Sequence, residues 1–209
     1  MTTRILVADD HPLFRDAVKL AIAKAAADAE VFECGNLQQA LEHLQSGAAI
    51  DLLLLDLYLP DVDGFGGLLQ LRSEYPQVPV AIVSACDESE IIGKAIGFGA
   101  QGYIPKTAAL GEITAAIAAL LSGEKHHPEL SAEEDAAELT SFTSLTPAQL
   151  KVLGYLKNGM LNKQIAYDMS ISEATVKAHM TAIFRKLNVR SRTQAVIAAA
   201  SLSLPEQSA

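Results

Sequence analysis

Residues 51–59 read DLLLLDLYL: four leucines in succession, a carboxylate at Asp56, and apolar residues resuming behind it. An uninterrupted apolar run of this length suits a strand buried on both faces inside a parallel sheet, where side chains need not alternate because neither face meets water. In an open α/β sheet such strands end at the crevice where ligands bind. A charge at that end needs a chemical reason, so Asp56 marks a site.

Outward from this strand, the first 122 residues alternate short apolar runs with helical patterns. In order they are RILVA, a helix from Pro12, VFEC, a helix from Leu37, DLLLL, a helix from Gly64, VAIVS, a helix from Glu88, GYI, and a helix from Ala109. Five βα units predict an α/β doubly wound, five-stranded parallel sheet, because right-handed crossovers lay helices on both faces. Turn residues agree, with Pro60 and Gly64 after the third strand and Gly97, Gly99 and Gly102 before the fifth. Residues 123–143, GEKHHPELSAEEDAAELTSFT, lack apolar periodicity and are expected to be a linker. From 144 to 209 the pattern is purely helical. Thr146 and Pro147 open a helix that closes at Gly159, and three more are expected at roughly 161–168, 172–187 and 191–201.

Charge separates the same parts. Residues 1–125 hold 8 Lys and Arg against 17 Asp and Glu, residues 126–143 hold 5 acids and no base, and residues 144–209 hold 8 bases against 3 acids. An acidic front joined to a basic tail suggests a regulatory module tied to a nucleic-acid binder. No run approaches the 18 or so uncharged apolar residues of a membrane span, and no export signal opens the chain, so a cytoplasmic protein without membrane contact is expected. Cys34 and Cys86 lie far apart without metal-ligand spacing and read as reduced core thiols.

The strand ends collect Asp9 and Asp10 after the first strand, Asp56 after the third, Ser84 after the fourth and Lys106 after the fifth. Carboxylates crowded together repel unless a cation balances them, and hard oxygen ligands at that density point to Mg²⁺. Lys106 and Ser84 add donors but no redox or nucleophile–base chemistry. The set suits phosphoryl transfer, with metal and Lys neutralising phosphate oxygens and an Asp carboxylate as acceptor. Asp61 and Asp63, in a Pro/Gly turn, are expected to cap backbone amides.

VADDHP (7–12), LLLLDLYLPDVDG (52–64), VAIVSA (80–85) and GYIPK (102–106) resemble the four signature blocks of bacterial two-component receiver domains. The resemblance covers residues 3 to about 122 and implies a flavodoxin-like sheet of strand order 2-1-3-4-5. It implies that Asp56 is the phospho-acceptor, that Asp9 and Asp10 with Asp56 and the backbone carbonyl of Tyr58 hold Mg²⁺, and that Ser84 and Lys106 contact the phosphoryl group. Ser84 with Tyr103 would be the switch pair. Thr107 stands where many receivers have a proline after the lysine.

In the tail, Ser172 caps a helix in which Met180, Ile183 and Leu187 fall within about 40° of Val176 at 100° per residue, one buried stripe. Opposite lie Lys177, Ala178, Thr181, Ala182 and Arg185, two cations with a hydroxyl and small residues that let a backbone approach, a face suited to a DNA major groove. LTPAQLKVL (145–153), residues 159–189 and RSRTQAVIAAA (190–200) resemble the helix-turn-helix domain of LuxR/NarL-type regulators over residues 144–201. That implies base contacts from Lys177, Ala178 and Thr181, backbone contacts from Asn162, Lys163, Thr175 and His179, and a dimer surface on the last helix. Gln149 stands where this family commonly has Glu, and Leu161 where it commonly has Ser.

The expectation is a NarL/FixJ-type response regulator rather than an enzyme: a receiver phosphorylated on Asp56 by a histidine kinase, controlling dimerisation and binding to an inverted-repeat operator, with RNA polymerase as a further partner. An aspartyl-phosphate hydrolase of the haloacid-dehalogenase kind also places a nucleophilic Asp after an apolar strand. It needs a second Asp two residues on, where this chain has Tyr58. A constitutive DNA binder with a degenerate receiver is disfavoured by the presence of Asp10, Asp56 and Lys106 together.

Overall fold

A computed structural model describes residues 2–128 and 141–204. They form two compact units, one on either side of residues 129–140. The acidic stretch of the expected linker lies outside the described residues.

In the first unit, β1 (Arg4–Ala8), β2 (Glu30–Cys34), β3 (Leu52–Leu55), β4 (Val80–Ser84) and β5 (Gly102–Pro105) make one sheet in the order β2-β1-β3-β4-β5. All four pairings are parallel. The four leucines of β3 are buried without exception, as is every residue of β4, which is why neither strand shows alternation. The edge strand β2 is partly exposed and carries Glu30 and Glu33, charges that discourage pairing with a further strand.

Helices α1 (Pro12–Ala25), α2 (Leu37–Gln45), α3 (Gly66–Glu74), α4 (Ser89–Gly97) and α5 (Leu110–Leu121) cover the sheet. On one face Val18 and Ile22 of α1 and Ile113, Ile117 and Leu120 of α5 pack on Ile5, Val7, Leu52, Leu54 and Val83. Each such side chain contributes about 1.5–3 kcal/mol by leaving water. Helix α3 begins at Gly66, two residues later than expected, because Gly64 takes a left-handed φ of +54°. Asp61 does cap amides, but those of α2: its two oxygens accept from Leu37 N and Gln38 N, each at 2.9 Å. The loop after β3 is thereby tied to the start of a neighbouring helix.

Cys34 is buried, and burial pushes its thiol up to about 12. Cys86 is not in the core as expected. It is half-buried in the loop after β4, because the chain there leaves the sheet to shape the strand-end crevice.

The second unit is helical: α6 (Pro147–Lys157), α7 (Asn162–Asp168), α8 (Glu173–Lys186) and α9 (Arg192–Ala200). Thr146 and Gln149 form a reciprocal capping box, and Ser172 and Ser191 cap α8 and α9. The core gathers Phe142, Leu145, Val152, Leu153, Leu156, Ile165, Val176, Ile183, Ala195 and Ala199. Of the expected stripe on α8, Val176 and Ile183 are fully buried. Met180 and Leu187 are only half-buried. No helix among the described residues is long and apolar enough to cross a membrane.

Candidate functional site

In the order β2-β1-β3-β4-β5 the strands are added outward in opposite directions from β1 and β3, and the crevice opens between those two. Asp9 follows β1, Asp56 follows β3, Ser84 ends β4 and Lys106 follows β5. Lys106 Nζ joins two of them, 2.6 Å from Asp56 Oδ2 and 2.7 Å from Asp9 Oδ2. Asp9 and Asp56 are each 2 % exposed. Two carboxylates so deep in the protein are tolerated because one ammonium sits between them.

The remaining carboxylate oxygens are nearly all engaged. Asp56 Oδ1 accepts from Tyr58 N at 3.1 Å, and Asp9 Oδ1 accepts from His11 N at 2.8 Å. Asp9 Oδ2, although paired in charge with Lys106, accepts no hydrogen bond. Burial raises the Asp56 carboxyl above its usual range; Lys106 opposes that, and the Asp9 carboxylate adds to it. Oxygen or nitrogen ligand atoms of Asp9, Asp10, His11 and Asp56 all lie within 4.8 Å of one another. An oxygen-rich set with an excess of negative charge, whose buried Asp9 Oδ2 has only the ion pair with Lys106, fits a hard divalent cation.

Ser84 is buried, its hydroxyl accepting from Cys86 N at 3.3 Å and its carbonyl from Lys106 N at 2.7 Å. Tyr103 is wholly buried next to it, donating its phenol to Cys86 O at 2.6 Å. Burial lifts that phenol well above its ordinary range, with the neighbouring Ser84 hydroxyl opposing. No peptide bond among the described residues is cis, so Lys106–Thr107 is trans.

Three residues at the site escaped the sequence reading. The Lys106 ammonium lies 4.9 Å from the centre of the Phe14 ring, a cation–π contact. Arg15 donates to Asp9 O at 2.5 Å while pairing with Glu33, so it holds the β1–α1 turn. His11 Nδ1 stands 2.7 Å from Asp10 Oδ1. Only His11 carried a signal, as the residue following two adjacent carboxylates.

In the second unit, Lys177, Ala178, Thr181 and Arg185 are all exposed on α8, and Thr175 on α8 and Lys163 on α7 are exposed as well. Asn162 and His179 are half-buried. Asn162 Oδ1 accepts from Arg192, which also donates to Met160 O at 2.5 Å and so fixes the turn before α7 against α9. Thr181 donates its hydroxyl to Lys177 O at 3.0 Å. Ile197 on α9 is 67 % exposed. Leu161 caps α7 with no polar side chain of its own, and Gln164 supplies half of the usual box by accepting from Leu161 N at 2.7 Å.

Comparison with known proteins agrees with both halves. Residues 5–118 match the response regulator receiver domain, and residues 143–199 match the bacterial regulatory proteins of the luxR family. The glycerol metabolism activator of Pseudomonas putida is 40 % identical, over 95 % of this chain and 96 % of that protein. The nitrate/nitrite response regulator protein NarP of Escherichia coli is 35 % identical, over 93 % of each. A structure of RcsB from Salmonella enterica serovar Typhimurium, bound to promoter rprA in the presence of phosphomimetic BeF3⁻, shares the fold with a TM-score of 0.56. It is 20 % identical, covering 97 % of this chain and all of that one. The chain therefore belongs to the NarL/FixJ-type response regulators, in which a receiver domain is joined to a LuxR-type DNA-binding domain.

Proposed function

We propose that Asp56 accepts a phosphoryl group from the phosphohistidine of a histidine kinase and that this modification controls dimerisation and operator binding. The observation that carries the reading is the single ammonium of Lys106 shared between the buried carboxylates of Asp9 and Asp56, in a chain that also exposes a basic helix face. Asp9, Asp10, Asp56 and the Tyr58 carbonyl would hold Mg²⁺, whose charge when bound offsets that of the phosphoryl oxygens.

In the transfer an Asp56 carboxylate oxygen attacks phosphorus, the P–N bond to the kinase imidazole breaks, and the imidazole leaves as the neutral ring after taking up a proton. Asp56 then no longer offers two anionic oxygens, so Lys106 turns its ammonium to a phosphoryl oxygen. The Ser84 hydroxyl donates to another, and Tyr103 fills the space beside Ser84. These are the switch roles we assign to Ser84, Lys106 and Tyr103.

On DNA, Lys177, Ala178 and Thr181 are assigned to base edges, and Asn162, Lys163, Thr175, His179 and Arg185 to phosphates and sugars. The RcsB structure on a promoter supports this mode. A dimer with two-fold symmetry reads an inverted repeat, with α9 and its exposed Ile197 as the contact between copies. RNA polymerase is the further partner of a regulator working at a promoter, and the cytoplasm is where these partners meet. We assign the receiver to residues 1–122, the linker to 123–143 and the DNA-binding domain to 144–209. The test is label uptake from acetyl phosphate with Mg²⁺, alongside selection of bound duplexes from a random pool with and without the phosphodonor. Asp56→Asn should take up no label; uptake by that variant would remove the assignment.

A further inference from the structure

The chain does not leave the sheet where α5 ends. Glu124 N donates to Ala119 O at 3.0 Å, His126 N to Gln101 O at 3.3 Å, and Tyr103 N to His126 O at 2.8 Å. Residues 124–126 thus run along the outer edge of β5, with Gly102 and His126 bridged in parallel. The expected free linker is, over its first residues, an extension of the sheet. Gly102 makes this approach possible. A Cβ there would stand 2.7 Å from His126 O and 2.8 Å from Leu120 Cδ2. Between this strap, the end of β5 and the start of α5 lies a cleft of about 520 Å³, reached by Tyr103, Thr107, Glu112 and His127.

Tyr103 is held from two directions. Its phenol bonds to Cys86 O beside Ser84, and its amide bonds to the strap. Three residues on, Lys106 N bonds to Ser84 O while the Lys106 ammonium meets Asp56. The short strand β5 therefore links the carboxylate site to the segment that runs on to the DNA-binding domain. The strap itself is held to β5 by two hydrogen bonds at a partly exposed edge, so it belongs to the parts of a fold that open with little free energy.

We propose that residues 124–128 are the receiver's output strap: the strap docks on β5 when Tyr103 is buried beside Ser84 and detaches when Tyr103 is displaced. This rests on the switch roles assigned above to Ser84 and Tyr103. Phosphorylation draws the Ser84 hydroxyl toward the phosphoryl group, favours the buried Tyr103 and so favours the docked strap. The geometry of the connection to the DNA-binding domain then differs between the two states, which is a differential interaction of the kind any switch requires.

The test uses the full chain. Exchange of the Tyr103 amide is followed by NMR with and without beryllofluoride and Mg²⁺, and DNA affinity is titrated in the same two conditions. In the unsubstituted protein beryllofluoride should slow Tyr103 exchange at least tenfold and raise DNA affinity. Gly102→Ala crowds the strap off the edge, and His126→Pro removes the donor to Gln101 without touching the core. Both should exchange quickly in both conditions and lose most of the affinity response, while still taking up label on Asp56. His126→Ala keeps both backbone bonds and should behave as the unsubstituted protein does. Should Gly102→Ala fail to fold, His126→Pro decides alone. Tyr103 exchange indifferent to beryllofluoride, or a full affinity response in His126→Pro, overturns the strap while leaving the phosphorylation reading intact. An unsubstituted protein that takes up no label overturns that reading and the strap with it.

Discussion

Lys106 and Asp56, 50 residues apart in sequence, meet at 2.6 Å between Nζ and Oδ2, and the same ammonium lies 2.7 Å from Asp9. One cation thus compensates two buried carboxylates. Lys106→Ala should destabilise the receiver by about 3–5 kcal/mol at neutral pH, the usual result of leaving buried charge unpaired. Added Mg²⁺ or a lower pH should recover part of that loss, since each reduces the negative charge. Urea melts of the variant with EDTA and with Mg²⁺ check it; equal stability of variant and parent in EDTA would show that the pair does not govern this site.

The Asp56 carboxyl is raised above its ordinary range, first by burial and then by Asp9, against the opposing Lys106. For an acid raised in the folded state, the native protein holds its proton to higher pH than the unfolded chain does. The cost of ionising it is absent below the unfolded value, grows as pH rises through the window between the two, and is fully present above the folded value. Metal-free protein should therefore lose stability across that window, and Asp56→Asn should flatten the slope and be more stable than the parent at neutral pH. Mg²⁺ at 100 times its dissociation constant should add about 2.7 kcal/mol to the parent and far less to the variant. Thermal melts across pH, with EDTA and with Mg²⁺, give both comparisons.

Phe14 holds Lys106 through its ring face, 4.9 Å from ammonium to ring centre. Cation–π contacts contribute about 0.5–2 kcal/mol depending on desolvation. A double-mutant cycle of Phe14→Leu with Lys106→Met should return a coupling of about 0.5–1 kcal/mol. Additive effects would reduce Phe14 to a packing residue on α1.

Much of this molecule can be read from its sequence. The periodic signals were local: LLLL and VAIVS are strands because both faces are buried, and Thr146–Pro147 and Ser172 open helices because a hydroxyl caps amides three residues on. The three residues at strand ends that meet, Asp9, Asp56 and Lys106, were named from topology alone. Contacts that close over long sequence separations were not legible. Asp61 reaches the amides of α2, Lys186 reaches Ser144 and Gln149, Phe14 meets Lys106, and the strap returns to β5. None has a period or a spacing, since each depends on where the folded sheet brings separate segments. The start of α3 moved for a different reason, the left-handed turn at Gly64, which a helical pattern does not reveal.

Gln149 accepts from Thr146 N at 3.1 Å and from Lys186 Nζ at 2.8 Å, and Lys186 also donates to Ser144 O at 2.7 Å. Gln149→Glu keeps the capping geometry, places an anion in the first turn of α6 and turns the Lys186 contact into a charge-assisted one. It should stabilise the DNA-binding domain by about 1 kcal/mol, with the gain shrinking in salt. Chemical denaturation at two ionic strengths tests this, and a loss of stability would mean that the neutral amide suits this corner better.

Leu161 is 67 % exposed at the N-cap of α7, where only Gln164 contributes to capping. Leu161→Ser supplies an acceptor for the free amides of the first turn and removes exposed apolar surface. A gain of about 0.5–1 kcal/mol is expected. Because α7 is one of the two helices of the DNA-binding motif, the same variant should bind DNA at least as well as its parent; weaker binding would mean that Leu161 itself meets the duplex.

In the proposed DNA mode, Thr181 and Lys177 would divide the reading of DNA between a methyl group and a cation. The Thr181 hydroxyl donates to Lys177 O at 3.0 Å within the helix, which leaves the side chain's methyl as the part free to meet a thymine methyl. Thr181→Val keeps that methyl and should bind the operator within about threefold of the parent. Thr181→Ser removes it and should weaken binding at sites with thymine while sparing sites without. Lys177 is exposed beside it with three donors for guanine acceptors or for a phosphate. Lys177→Ala should cost about 1–3 kcal/mol and relax preference at one base pair if it reads a base. If it holds a phosphate instead, affinity should fall alike on every sequence, and the slope of log affinity against log salt should lessen by about one ion. Titrating both variants on a panel of single-base operator changes at two salt concentrations separates these outcomes. A panel on which neither variant shifts any preference would place the base-reading face elsewhere than on α8.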